Sequence, residues 1–225
     1  MFALKGGCNL RFFFKSVRYS EDIDLDIHTV SLDTLKNNVR RIIKDKSFLD
    51  TLKSRDIAIA NFSEPKQTDT TQRFKISLST SNLERLIPTK IEFSRRSGTA
   101  GSIMEAIDPE IIAKYKLYPI SIFHYDNSYA IAQKISALIC RTQTQARDIF
   151  DLTLLLSANI KFDINQFSKA ELVKASENAR NLSFEDFKSQ VVAFLMPEYQ
   201  SIYDDKNIWN DMVEKLLSVF VKGVV

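Results

Sequence analysis

The hydrophobic period changes once along this chain, near residue 126, and that change narrows the folds open to it. Up to that point the apolar residues follow a strand pattern: FALK (2–5), DIDLDIH (22–28), DIAIANFSE (56–64), RFKISLST (73–80), KIEFSRR (90–96) and SIFHYD (121–126). Helices enter this part as a short segment over 8–15 and a longer one over 31–54. Ser31 is placed to cap the longer helix, with Leu32, Leu35, Val39 and Ile42 at helical spacing. From Asn127 the period is helical. Ile131, Ile135 and Leu138 share one face, Ile149, Leu152 and Leu156 another, and further helices are expected over 168–179, 183–196 and 207–221. The reading is α+β, with an α/β lobe over residues 1–126 and an all-helical lobe over 127–225. A chain of 225 residues is long enough to bury a core, and five Gly and five Pro are too few for a turn-rich sandwich. The 16 Phe are spread along the chain, as core packing requires.

Charge is also uneven along the chain. Residues 151–225 carry 8 Lys+Arg against 11 Asp+Glu, and residues 1–150 carry 23 against 17. The more basic part therefore holds the acidic triplet Asp22, Asp24 and Asp26, an arrangement suited to a polyanion held through metal ions. Two cysteines, Cys8 and Cys140, have neither the number nor the spacing of a zinc site. No stretch reaches the roughly 18 apolar residues of a membrane span. The start MFALKGGCNL has no signal-peptide layout, so a cytoplasmic location is expected.

The triplet calls for an explanation because Asp is a poor strand former and side chains at i, i+2 and i+4 share one face of a strand. Upstream of it, a strand runs into Gly6-Gly7 and then a helix. Such a turn lets an anion approach backbone N–H groups at the positive end of the helix, where a Cβ would block it. Two carboxylates two apart on the next strand can hold Mg²⁺ ions for phosphoryl transfer. Either element alone is common. Strand, Gly-Gly, helix and D-x-D in succession form a far more specific unit.

LKGGCNLR followed by RYSEDIDLD resembles the opening motif of nucleotidyltransferases with a DNA polymerase β-like fold, and within them the AbiEii family of type IV toxin–antitoxin toxins, which includes the MenT toxins. That family reads K-G-G-[ST], then R-x-S-x-D-x-D, then a Lys helix followed by R/K-D-x-x-D. Here the later blocks are AQKISALICR and ARDIFDL, so the matching blocks span residues 4–152 in the family's order. The resemblance implies a mixed-sheet nucleotidyltransferase lobe. It implies an enzyme that moves NMP from an NTP to an acceptor hydroxyl, such as the 3′ end of tRNA, with Mg²⁺ or Mn²⁺. It also implies a toxin whose antitoxin need not touch it.

Carried over residue by residue, Asp22 and Asp24 hold the metals and Gly6, Gly7 and Cys8 cradle the triphosphate. Ser20 and Arg11 add nucleotide contacts, Lys134 meets the phosphates, and Asp148 faces the nucleotide with Arg147 and Asp151 in support. Arg147 and Asp151 stand at i and i+4, the spacing of a helical ion pair. Arg18 is a further phosphate-contact candidate. Glu92 is the candidate third metal carboxylate, since Ile91 and Phe93 alternate with it. Three departures from the family pattern stand out: Cys8 in place of Ser or Thr, no helical segment before the first strand, and the extra Asp26 and His28, which receive no role. The first two carry the alternative reading, a nucleotide-binding regulatory module with impaired catalysis.

Overall fold

The structure is a computed structural model that describes residues 1–96, 99, 101–158 and 162–224. Among the described residues it forms seven strands and ten α-helices. The first part runs β1 (Phe2–Lys5), α1 (Gly6–Phe13), β2 (Asp22–Ile27), α2 (Leu32–Ile43), α3 (Lys46–Lys53), β3 (Ala58–Gln67), β4 (Thr71–Thr80), β5 (Leu83–Ser94), β6 (Ser102–Ala106), α4 (Pro109–Lys114) and β7 (Ser121–Tyr125). Then follow α5 (Asn127–Cys140), α6 (Ala146–Leu156), α7 (Lys169–Arg180), α8 (Phe184–Gln190), α9 (Pro197–Tyr203) and α10 (Lys206–Val224). Two compact units result. The first comprises 1–8, 21–105 and 121–124; the second comprises 9–20, 106–120 and 125–225.

The first unit is built on a mixed sheet in the order β3-β4-β5-β2-β1-β7-β6. Strand β2 lies near its middle, antiparallel to β1 and parallel to β5. Period 2 then divides β2 between two faces. Leu25 and Ile27 go to an apolar face with Ile91, Phe93, Phe74 and Phe62, closed by Leu35 and Val39 of α2. Phe74 is fully buried, stacked on Phe62 at 6.1 Å and edge-on to Phe93 at 5.9 Å. Asp22, Asp24 and Asp26 go to the opposite face.

The second unit is helical. Leu10 of α1 joins Ile131, Ile135 and Leu138 of α5, Ile149, Leu152 and Leu155 of α6, and Phe187, Trp209, Leu216 and Phe220 in one core. Ser168 and Ser183 close reciprocal capping boxes with Glu171 and Asp186, which fixes where α7 and α8 begin.

The elements differ from the sequence expectation in four places. The helix expected over 31–54 is two, because Asp45 caps α3 by accepting from the Phe48 N–H at 2.9 Å, a local bond that competes with helix continuation. The helix expected over 183–196 ends at Gln190. Pro197 holds Met196 in an extended conformation and opens α9. Strand β5 starts at Leu83 rather than 90, in spite of Pro88, because β4 pairs with it along its length. Elements β6 and α4 went unpredicted, although Asp108-Pro109 is a cap followed by a first-turn proline.

Phe74→Ala is expected to lower unfolding stability by about 3–5 kcal/mol in urea titration, because it empties the centre of the apolar sheet face. A loss below about 1 kcal/mol would show that this face does not carry the first unit.

Candidate active site

In the first unit, the chain turns from β1 into α1 at Gly6, whose φ is +67°. A Cβ built there would lie 2.9 Å from Asp24 Oδ2. Both the backbone conformation and the space thus demand glycine, and both place the Asp24 carboxylate at the head of α1, whose first turn carries no acidic residue. Burial pushes the Asp24 carboxyl above its ordinary value, and Glu92 and Asp22 push the same way, against Lys90 and Lys5. Asp22 pairs with Lys90 at 3.1 Å. Glu92, directly beside Asp24 in the β2–β5 register, pairs with Arg73 at 2.7 Å and lies 4.0 Å from Lys90. Asp26 is fully buried and meets Lys5 at 2.6 Å. Cys8 is buried, and its thiol donates to the Asp22 carbonyl at 3.2 Å.

The second unit holds another charged cluster. Lys134 Nζ lies 2.9 Å from Asp148 Oδ1 and 2.5 Å from Asp151 Oδ2. Arg18 grips Asp151 with Nη2 at 3.1 Å from Oδ2 and Nε at 3.4 Å from Oδ1. Both carboxylates are fully buried. Burial opposes the charge on Lys134, but Asp151 and Asp148 outweigh it and hold the ammonium above its ordinary value. Burial likewise opposes the charge on Asp151, but Lys134 and Arg18 hold that carboxyl below the usual range. Asp148 Oδ2 lies 3.1 Å from Arg141 Nη1, inside ion-pair distance, yet has no hydrogen-bond donor aligned on it.

The residues singled out from the sequence therefore fall into two groups. Gly6, Gly7, Cys8, Asp22, Asp24 and Glu92 belong to the first unit, and Arg11, Ser20, Lys134, Arg147, Asp148 and Asp151 to the second. Asp151 pairs with Arg18 and Lys134 rather than with Arg147, which is exposed. Helix spacing permits the i,i+4 pair, but α6 turns Asp148 and Asp151 inward. Lys134 is neither on a solvated face nor idle; with Arg141 one helical stripe on, it converges on Asp148. Arg11 lies in the second unit. It is buried, donates to the Ser16 carbonyl at 2.7 Å and lies over the Tyr19 ring at 4.9 Å. Ser20 is half-buried. Lys5, Arg73 and Lys90 were missed, and Asp26, given no role from the sequence, is held in a buried ion pair. For Lys90 a signal existed, since it alternates with Glu92 in K-I-E.

Mg²⁺ takes oxygen ligands and keeps several from water and substrate phosphate, so it needs only one or two carboxylates from a protein. The desolvated Asp24 with Asp22 two residues away is such a donor pair. Among the described residues no group of three or more His, Cys, Asp or Glu is arranged to hold a metal ion by itself.

The model of the AbiEii family, "Nucleotidyl transferase AbiEii toxin, Type IV TA system", matches residues 1–219. No curated protein matches the sequence. Two solved structures from Helicobacter pylori share the fold. JHP933 superposes with a TM-score of 0.56 at 20% identity, over 98% of this chain and 85% of that one. A candidate nucleotidyltransferase superposes with a TM-score of 0.54 at 20% identity, over 98% of this chain and 88% of that one.

Asp151→Asn, which removes the carboxylate paired with Arg18 and one of the two paired with Lys134, is expected to cost about 3–5 kcal/mol of stability. The depressed Asp151 value contributes stability above the unfolded value of about 3.9, lost as pH falls through the folded value. The raised Lys134 value contributes below its unfolded value of about 10.4, lost as pH rises through the folded one. Unfolding midpoints measured across pH should thus be flat near neutrality and fall in acid, with a weaker acid fall in Asp151→Asn. An unchanged acid limb in the variant would remove Asp151 from that account. Gly6→Ala is expected to cost about 1–2 kcal/mol for the left-handed backbone alone. Circular-dichroism melting reads this cost, and a neutral outcome would contradict the turn conformation.

Proposed function

The chain belongs to the AbiEii family of nucleotidyl transferase toxins and is a nucleotidyltransferase, and from that premise we propose that it moves NMP from an NTP to an acceptor hydroxyl on RNA in a Mg²⁺-dependent reaction. The 3′ end of tRNA is the acceptor that fits the family resemblance. The observation that carries the reading is the Asp24 carboxylate set against Gly6, at the head of α1. That single contact brings a desolvated carboxylate to the turn where an anion can reach backbone N–H groups. Asp22 and Asp24 would hold the metal, with Glu92 joining them on release from Arg73. Mn²⁺ could replace Mg²⁺ on the same oxygen donors. Bound there, the ion supplies neutralising charge for the triphosphate and lowers the pKa of the acceptor hydroxyl.

The chain's own residues contribute positioning and charge, which is most of what phosphoryl transfer asks of a protein. The Gly6-Gly7 turn leaves room for the triphosphate. Cys8 ties α1 to β2 through the Asp22 carbonyl, so its thiol holds the turn in place and leaves the phosphate contact to backbone N–H groups. Lys90 and Arg73 offset the clustered carboxylates. In the second unit Asp148, whose buried Oδ2 makes no hydrogen bond, belongs to a cluster closed to solvent. Lys134 and Asp151 hold Asp148 and Arg18 in place, and Arg147, exposed, is left for a phosphate. As a type IV toxin it would act in the cytoplasm, against an antitoxin that need not touch it. Among the described residues no helix is long and apolar enough to cross a membrane. A nucleotide-binding module without turnover is the second reading. The Cys8 bond weakens it, because a hydroxyl at position 8 would make the same bond.

Incubation with Mg²⁺, each labelled NTP and total RNA should give labelled RNA. Asp22→Asn and Asp24→Asn should each reduce labelling at least about 100-fold, and Cys8→Ser should keep it. Labelling that survives Asp24→Asn overturns the site. Nucleotide binding without transfer to any RNA or protein acceptor supports the second reading instead.

A further inference from the structure

The face of the first-unit sheet that carries the aspartates does not end at them. Strand register lays two rows of side chains across it. One runs Asp22 (β2), Lys90 (β5), Lys75 (β4) and Ser63 (β3). The other runs Lys5 (β1), Asp24 (β2), Glu92 (β5), Arg73 (β4) and Lys66 (β3). Carboxylates occupy the β2 position of both rows and the β5 position of the second, and cations occupy the β4 position of both rows and the β3 position of the second.

Two cross-strand pairs in these rows join like charges: Lys75 directly opposite Lys90, and Lys66 directly opposite Arg73. Like charges directly opposite in a sheet destabilise it. Lys90 and Arg73 are offset by Asp22 and Glu92. Among the described residues, Lys66 and Lys75 make no ion pair. Nor does Glu64 in β3 serve them, since it is engaged by Arg40 at 2.6 Å and Lys36 at 3.7 Å from α2, on the other side. An edge strand often carries Lys to prevent edge pairing. That explains Lys66 on β3 but not Lys75, which lies on an interior strand. The sheet therefore keeps two unneutralised cations where they cost stability, one and two strand positions out from the carboxylates of the proposed transfer site.

We infer that Lys66 and Lys75 form a phosphate track for the single-stranded RNA acceptor, holding its backbone while its terminal hydroxyl reaches the Asp22–Asp24 end of the same face. This deepens the proposed function and rests on it for the identity of the acceptor. Neighbouring strands are spaced about 4.8 Å apart and residues two apart on a strand about 6.6 Å, so the cations sit within reach of successive backbone phosphates. A polyanion is the occupant that charge complementarity selects. The lysines read no base, and binding is independent of sequence and sensitive to salt.

The test measures anisotropy of a short fluorescein-labelled single-stranded RNA with the full chain over a range of KCl, without NTP. Lys66→Gln and Lys75→Gln should each weaken binding and reduce the slope of log K against log salt by about 0.7, the value for one phosphate contact on a single strand. Lys169→Gln, an exposed lysine on α7 that removes the same charge, should leave the slope unchanged. Melting midpoints of Lys75→Gln should rise, since an opposed like-charge pair is relieved, which separates lost binding from lost folding. Slopes equal to that of Lys169→Gln overturn the inference and leave the transferase reading standing. Lysine-dependent RNA binding without any nucleotide transfer sustains the track and overturns the reaction. Binding of a polyglutamate peptide in place of RNA, with the same lysine dependence, would assign the surface to an acidic protein and overturn the RNA track.

Discussion

Three carboxylates on one face of a central strand can be folded only if cations come to meet them, and much of the first unit is arranged to that end. Lys5 reaches Asp26 from β1, Lys90 reaches Asp22 from β5, and Arg73 restrains Glu92 from β4. The pairs are unequal. Asp26 has no exposure and one short ion pair, so it is fully committed to structure, whereas Asp22 is more than one-third exposed. Asp24 lies between them, desolvated but with mixed neighbours, and is the least settled charge of the three. Asp22, Asp24, Asp26 and Glu92 are thus met by three paired cations, Lys5, Lys90 and Arg73.

The second unit solves a similar problem differently. Its Asp148 and Asp151 are buried outright and held by Lys134, Arg18 and Arg141. Burying ions costs several kcal/mol each unless partners are close and well aligned, so a cluster like this sets one arrangement of α5 and α6 rather than adding much stability. The two units therefore share chemistry but not tolerance. Charge at the first can be rearranged by ligands, and charge at the second is locked by geometry.

How much of this was legible in the sequence follows from the range of each interaction. The shared face of Asp22 and Asp24 and the need for glycine ahead of α1 follow from local geometry and were read directly. The break at Asp45 and the pairing of Asp151 were not. A cap competes with a continuing helix by a margin too small for spacing to decide. Spacing also allows Arg147 to reach Asp151 while burial of that helix face forbids it. Lys90 and Arg73 meet β2 only because β5 returns beside it in parallel and β4 pairs antiparallel with β5, a strand order that periodicity cannot supply. The burial of Arg11 and Arg18 beside Met196 and Asp151 was not legible, because those partners lie in distant segments.

The Arg18–Asp151 pair spans 133 positions of sequence. During synthesis on the ribosome, Arg18 emerges long before the carboxylate that makes its burial tolerable, and β7, part of the sheet, emerges after residue 120. A nascent chain interrupted anywhere before Asp151 thus has a guanidinium with no buried partner and a helical core without α6. Burial of that guanidinium and closure of the helical core therefore wait on the same late segment of the chain.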